Sequence, residues 1–126
     1  MTPAAGDIVF VLAPNVGYRK YHICLGQNEA GVSLFLYLNS DNGFAGDAVF
    51  DCSRFPTIPP SQTGESVVSF SMMPRFTSQQ LALYGATLHG TVPKDVAAEL
   101  AEHCLHIKTL TKPEKQLALS ALSDLA

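Results

Sequence analysis

The chain is short of charge. Asp, Glu, Lys and Arg make up 15% of its 126 residues, against ~25% in an ordinary soluble domain. Basic residues are the scarcer: eight Lys and Arg face eleven Asp and Glu, for a formal charge of −3 and a pI near 5.7. With no overall positive field, any contact with nucleic acid has to come from a local patch. The three cysteines, Cys24, Cys52 and Cys104, form no Cys-x-x-Cys pair. So sparse and odd a set argues against a disulfide framework and for a reducing compartment. The apolar runs are only strand-sized, which excludes a membrane-spanning helix. Met1 to Asp7 lacks the basic start and apolar stretch of a signal peptide. A cytoplasmic protein with no membrane partner is expected. The Walker, Gly-x-Gly-x-x-Gly and Gly-x-Ser-x-Gly motifs are also missing, so nucleotide hydrolysis and α/β-hydrolase chemistry drop out.

What is present is apolar. Hydrophobic residues reach 47%, enough for one domain over residues 1–126 that buries roughly two-thirds of its unfolded surface. The first two-thirds reads as β structure, with runs at Ile8–Leu12, Tyr21–Leu25, Val32–Leu38, Ala48–Phe50 and Val67–Phe70. The third run alternates poorly, as a strand buried on both faces does. Turn formers separate the runs at Ala13–Gly17 and Asn39–Gly43, and the prolines at 56, 59 and 60 mark a long loop. Thr77–Gln80 can start a helical turn, and Gly85–Thr91 returns as a last strand. A helix follows Pro93 with Val96, Leu100, Cys104 and Ile107 on one stripe; Thr111 and Glu114 form a capping box for another. The expected fold is mainly β within the α+β class: a small barrel of antiparallel strands with C-terminal helices.

Read in order, the motifs resemble the MazF/PemK family of toxin endoribonucleases. The likeness runs from Gly6-Asp7-Ile8-Val9-Phe10-Val11 through the loop Ala13-Pro14-Asn15-Val16-Gly17 to the second strand Lys20-Tyr21-His22-Ile23-Cys24-Leu25. It continues through Leu38-Asn39-Ser40, Gly43-Phe44-Ala45, Val67-Val68, Met73-Pro74-Arg75 and Leu88-His89-Gly90-Thr91-Val92-Pro93. The resemblance implies an SH3-like barrel, usually a homodimer, that cuts single-stranded RNA without metal or other cofactor and is silenced by a cognate antitoxin protein. The sequence departs from the family in three ways, one being a loop before the second strand several residues shorter than usual. Lys20 stands for the arginine before the second strand, with Arg19 one place earlier. Phe70 and Met72 occupy positions where plasmid toxins carry an arginine and an aspartate. A catalytically inactive relative that binds protein or nucleic acid is the alternative.

Metal-free RNA cleavage needs a proton acceptor, a proton donor and a cation for the phosphorane charge. Arg19, Lys20, Ser40 and Arg75 are the candidate catalytic residues. Arg19 or Lys20 would supply the cation and Ser40 a hydrogen bond; Arg75 would hold the phosphate or else form a structural ion pair. Tyr18, His22, Asn42 and Arg54 are the candidate RNA contacts. His22 is the nearest candidate base, since an ordinary histidine titrates close to cellular pH, although its apolar strand suits a histidine facing solvent or packed at a rim. His103, Cys104 and His106 suggest a metal cluster only on paper, because Cys104 belongs to the apolar stripe of its helix. Cys24 and Cys52 read as inert thiols. Among aromatic residues beside loops, Tyr18, Tyr37, Phe44 and Phe55 suit either base stacking or the core.

Overall fold

The computed structural model describes residues 1–41, 43 and 45–126. Seven strands lie in one antiparallel sheet: β1 (Asp7–Ala13), β2 (Tyr18–Gln27), β3 (Ser33–Asn39), β4 (Ala48–Asp51), β5 (Glu65–Ser69), β6 (Arg75–Phe76) and β7 (Thr87–Thr91). Their order is β4-β5-β3-β2-β1-β7, with the two-residue β6 added on β3. The sheet curls into a small half-barrel, mainly β within an α+β fold. Helices α1 (Ser78–Leu83), α2 (Lys94–Cys104) and α3 (Lys112–Leu125) complete the chain.

Local signals account for most boundaries. Thr77 and Gln80 form a capping box on α1, as Thr111 and Glu114 do on α3. Pro93 occupies the N-cap of α2. Ile107 lies beyond the end of that helix yet stays buried. Strand β3, with six of its seven residues buried, is the doubly covered strand that its weak alternation foretold. Strand β6 has no sequence signal of its own; it forms where Arg75 and Phe76 meet Leu34 and Ser33.

Strand alternation sends side chains to two faces. One face carries Ile8, Ile23, Leu36 and Val68, covered by Val96, Leu100, Leu122 and neighbours from α2 and α3. The other carries Val9, Val11, Cys24 and Phe35, closed by Phe76 and Leu81 of α1. The long loop from Phe55 to Gly64 is tied to both ends of the sheet. Phe55 is in the core, and the Thr57 side chain lies so close to Gly90 of β7 that a Cβ there would come within 2.6 Å. Gly90 also has φ +85°, a conformation other residues rarely adopt. Contact of this loop with β7 narrows the open side of the half-barrel.

Candidate functional site

A groove of about 550 Å³ opens at the end of the sheet near the β1–β2 turn. Three of its lining residues, Phe10, Tyr21 and Leu38, form one cross-strand row over β1, β2 and β3. Ile58, Pro59, Pro60 and Ser61 of the long loop face this row. Tyr18, Arg19 and Lys20 of β2 border the groove together with Asn39, Ser40 and Asp41 at the end of β3. Thus Ser40 at the end of β3 comes together with the consecutive Tyr18, Arg19 and Lys20 of β2.

Their side chains are not equivalent. Arg19 and Lys20 are consecutive in a strand, so their heads diverge to opposite faces. The Arg19 guanidinium stacks on Phe10, 4.8 Å from the ring centre. It donates to the carbonyls of Gly85 at 2.8 Å, Phe10 at 3.3 Å and Tyr84 at 3.5 Å. Gly85, at φ +67°, makes room for it, since a Cβ there would lie 2.8 Å from Nη1. This guanidinium is a strut between β2 and the α1–β7 connection. Lys20 holds its ammonium 4.4 Å from the Tyr37 ring centre and 6.0 Å from that of Tyr18. Partial burial lowers its pKa from the ordinary lysine value, while the two rings favour its charged form. Ser40 is exposed, and its carbonyl accepts a 2.6 Å hydrogen bond from Thr63 Oγ1. That bond fixes the groove end of β3 to the long loop.

The other candidates lie elsewhere. His22 is wholly buried rather than at a rim or in solvent. Its Nδ1–H donates to the Lys20 carbonyl at 2.9 Å, and its ring packs among Phe35, Tyr37 and Phe76. Desolvation pushes its pKa down to about 4, against the smaller upward pull of that carbonyl. At neutral pH it is an uncharged core residue. Its Nε2 has no hydrogen-bond partner among the described residues. Arg75 on β6 pairs with Glu114 at the start of α3, 3.5 Å away. Arg54 pairs with Asp95 at 3.2 Å and with Glu99 on α2. Asn42 and Phe44 lie outside the described residues.

His103, Cys104 and His106 turn to different partners: the Gly46 carbonyl, the Lys115 carbonyl and the Glu102 carboxylate. Among the described residues no group of three or more His, Cys, Asp or Glu is arranged to hold a metal. Cys24 is a buried thiol whose pKa burial raises to about 11. Tyr37 and Phe55 are core residues. The groove aromatics are instead Phe10, Tyr21 and Tyr18. Phe10 and Tyr21 were hidden in the sequence, because they share the alternation of the core residues Ile8 and Ile23. Counting outward from the Ala13–Gly17 turn would have found them opposite each other.

No described helix is long and apolar enough to cross a membrane. No known family model matches the chain, and no curated protein matches its sequence.

Proposed function

We propose that this chain is a MazF/PemK-like toxin that cuts single-stranded RNA without a metal ion. In this reading it works as a cytoplasmic homodimer restrained by an antitoxin protein. The observation that carries it is the convergence of Tyr18, Lys20 and Ser40 on one groove beside the Phe10–Tyr21 row. Unstacked bases of a single strand lie well on such rings. Lys20 is the groove cation with no carboxylate or carbonyl partner among the described residues, so it is the group left to face a phosphate. It would stabilise charge developing on the phosphorane oxygens, with the Ser40 hydroxyl donating a hydrogen bond to one of them. As a point charge Lys20 lacks the two-pronged grip of an arginine. Arg19, already held by three carbonyls, would position the groove instead of the phosphate.

One observation favours a second reading, a binding module without catalysis. Arg19, Arg54 and Arg75 are all engaged by protein groups, and His22 is sealed in the core. The two readings separate when wild type, Lys20→Ala and Ser40→Ala are expressed and assayed on mixed single-stranded RNA in chelator-containing buffer. The toxin reading expects growth arrest and cleavage by wild type, with cleavage reduced about 100-fold by Lys20→Ala. RNA that is bound but left intact establishes the module. Cleavage that requires added metal overturns the proposed chemistry.

A further inference from the structure

Metal-free cleavage needs a group to take the proton of the ribose 2′-hydroxyl, and neither Lys20 nor Ser40 is suited to it. Of the four histidines, His22 is enclosed by rings, His103 binds the Gly46 carbonyl at 2.8 Å beside Phe70, and His106 faces Glu102 on the far end of α2. The fourth, His89 on β7, is partly exposed and stands beside the groove. Its ring meets Tyr21 edge-on at 5.4 Å and Phe10 at 5.9 Å, the two rings that line the groove floor. Its neighbour Gly90 touches Thr57, next to the loop residues Ile58 and Pro59 on the groove's other side. Its Nε2 lies 2.8 Å from the Thr87 hydroxyl, and its Nδ1 makes no hydrogen bond within the described residues. That is the arrangement of an oriented base: one ring nitrogen held by a neighbour, the other free.

We infer that His89 is the proton acceptor of this site, an assignment that rests on the endoribonuclease reading above. With Nε2–H donating to Thr87 Oγ1, the Nδ1 lone pair takes the 2′-hydroxyl proton. O2′ then bonds to phosphorus, the P–O5′ bond breaks, and O5′ leaves as an alcohol after taking a proton from water. The products are a 2′,3′-cyclic phosphate and a free 5′-hydroxyl, with no oxidant or reductant consumed. Among the elements packed against His89, Asp7 is the chargeable group of β1; β2 carries Tyr18, Arg19, Lys20, Tyr21 and His22, of which Arg19 and Tyr21 share the face of Phe10. Arg19 is stacked on the far partner Phe10, and Asp7 accepts a hydrogen bond from the Ala4 amide.

The test follows cleavage of a short RNA across pH for wild type, His89→Ala, His89→Gln, Thr87→Val and Asp41→Asn. Both His89 variants should lose at least 100-fold in rate and lose the acidic limb of the pH profile, while binding RNA as wild type does. Added imidazole should partly restore His89→Ala. Thr87→Val should slow cleavage less and keep the limb. A non-cleavable 2′-deoxy oligonucleotide should shift the His89 imidazole resonances and leave those of His106 unmoved. Wild-type rate and profile in His89→Gln, or loss of the limb in Asp41→Asn alone, would overturn this assignment and leave the endoribonuclease standing. A wild type that binds RNA without cutting it overturns both.

Discussion

The two faces of the sheet are built differently. Beneath α2 and α3 lies an extensive core of aliphatic and phenyl side chains running from Ile8 to Leu122. Beneath α1 the cluster is small, and buried polar side chains gather there. His22, Ser33 and Ser69 all belong to strand positions that alternate onto that face, in step with Phe35 and Tyr37. The first face therefore supplies most of the apolar burial that drives folding. The second tolerates polar groups because six residues of helix can cover only part of it. Lys20 and Tyr18 emerge on that thin side, whereas Phe10, Tyr21 and Arg19 belong to the thick one. The groove lies where the two faces run out, at the end of the sheet.

Cavity-forming substitutions are the strongest way to break this contrast. Leu100 and Leu81 are both completely buried, one on each face. Leu100→Ala should cost about 4 kcal/mol, because α2 is held between the sheet and α3 and cannot move in to fill the void. Leu81→Ala should cost about 2.5 kcal/mol, since the short α1 can settle toward the sheet. Urea unfolding measures both. Equal losses would mean that the thin face is as firmly packed as the thick one.

The next effect is specific to the thin face and depends on pH. His22 is folded as a neutral base with a pKa of about 4, while an unfolded histidine titrates near 6.5. Between those values the unfolded chain binds a proton that the folded chain refuses, so stability is lost as pH falls. The contribution is fully present above about pH 6.5 and gone below about pH 4. Over that window the loss should be about 3 kcal/mol. His22→Leu should remove most of this slope. A slope that persists unchanged in the variant would place the acid sensitivity in the carboxylates.

The contrast also shows which features can be read from a sequence. Elements with local causes were legible: the helical turn starting at Thr77, the capping box at Thr111, the proline loop, and the strand runs that frame Gly26 and the Ala13–Gly17 turn. Strand β6 was not, because two residues carry no periodicity and pair only where β3 happens to be free. At the site, Lys20 and Ser40 could be paired through a family likeness. The commitment of Arg19 to the Gly85 carbonyl could not, since it depends on a contact 66 residues away. His22 and His89 each sit in a strand beside an aromatic or aliphatic neighbour. Only the curl of the sheet buries the first and leaves the second at an edge.

The smallest expected effect concerns Arg75, for which the ion pair and the phosphate are rival partners. Its side chain is 56% exposed and the Glu114 carboxylate lies 3.5 Å away. Burial raises the Glu114 pKa, yet the Thr111 amide and hydroxyl, aided by Arg75, outweigh it and hold the carboxyl below the usual glutamate value. That carboxylate already serves the capping box of α3, so the helix start survives without the arginine. An exposed pair of this kind contributes under about 1 kcal/mol, less in high salt. Arg75→Ala should therefore lower stability by about 0.5 kcal/mol at low salt and by almost nothing in 1 M salt. RNA cleavage should stay within about 3-fold of wild type, because Glu114 holds the guanidinium on α3 and Arg75 does not line the groove. A loss of 100-fold or more with unchanged stability would instead mean that the arginine leaves Glu114 for the phosphate when RNA binds. The thick face, which Arg75 shares with its pairing partner Leu34, would then reach the substrate through β6 as the thin face does through Lys20.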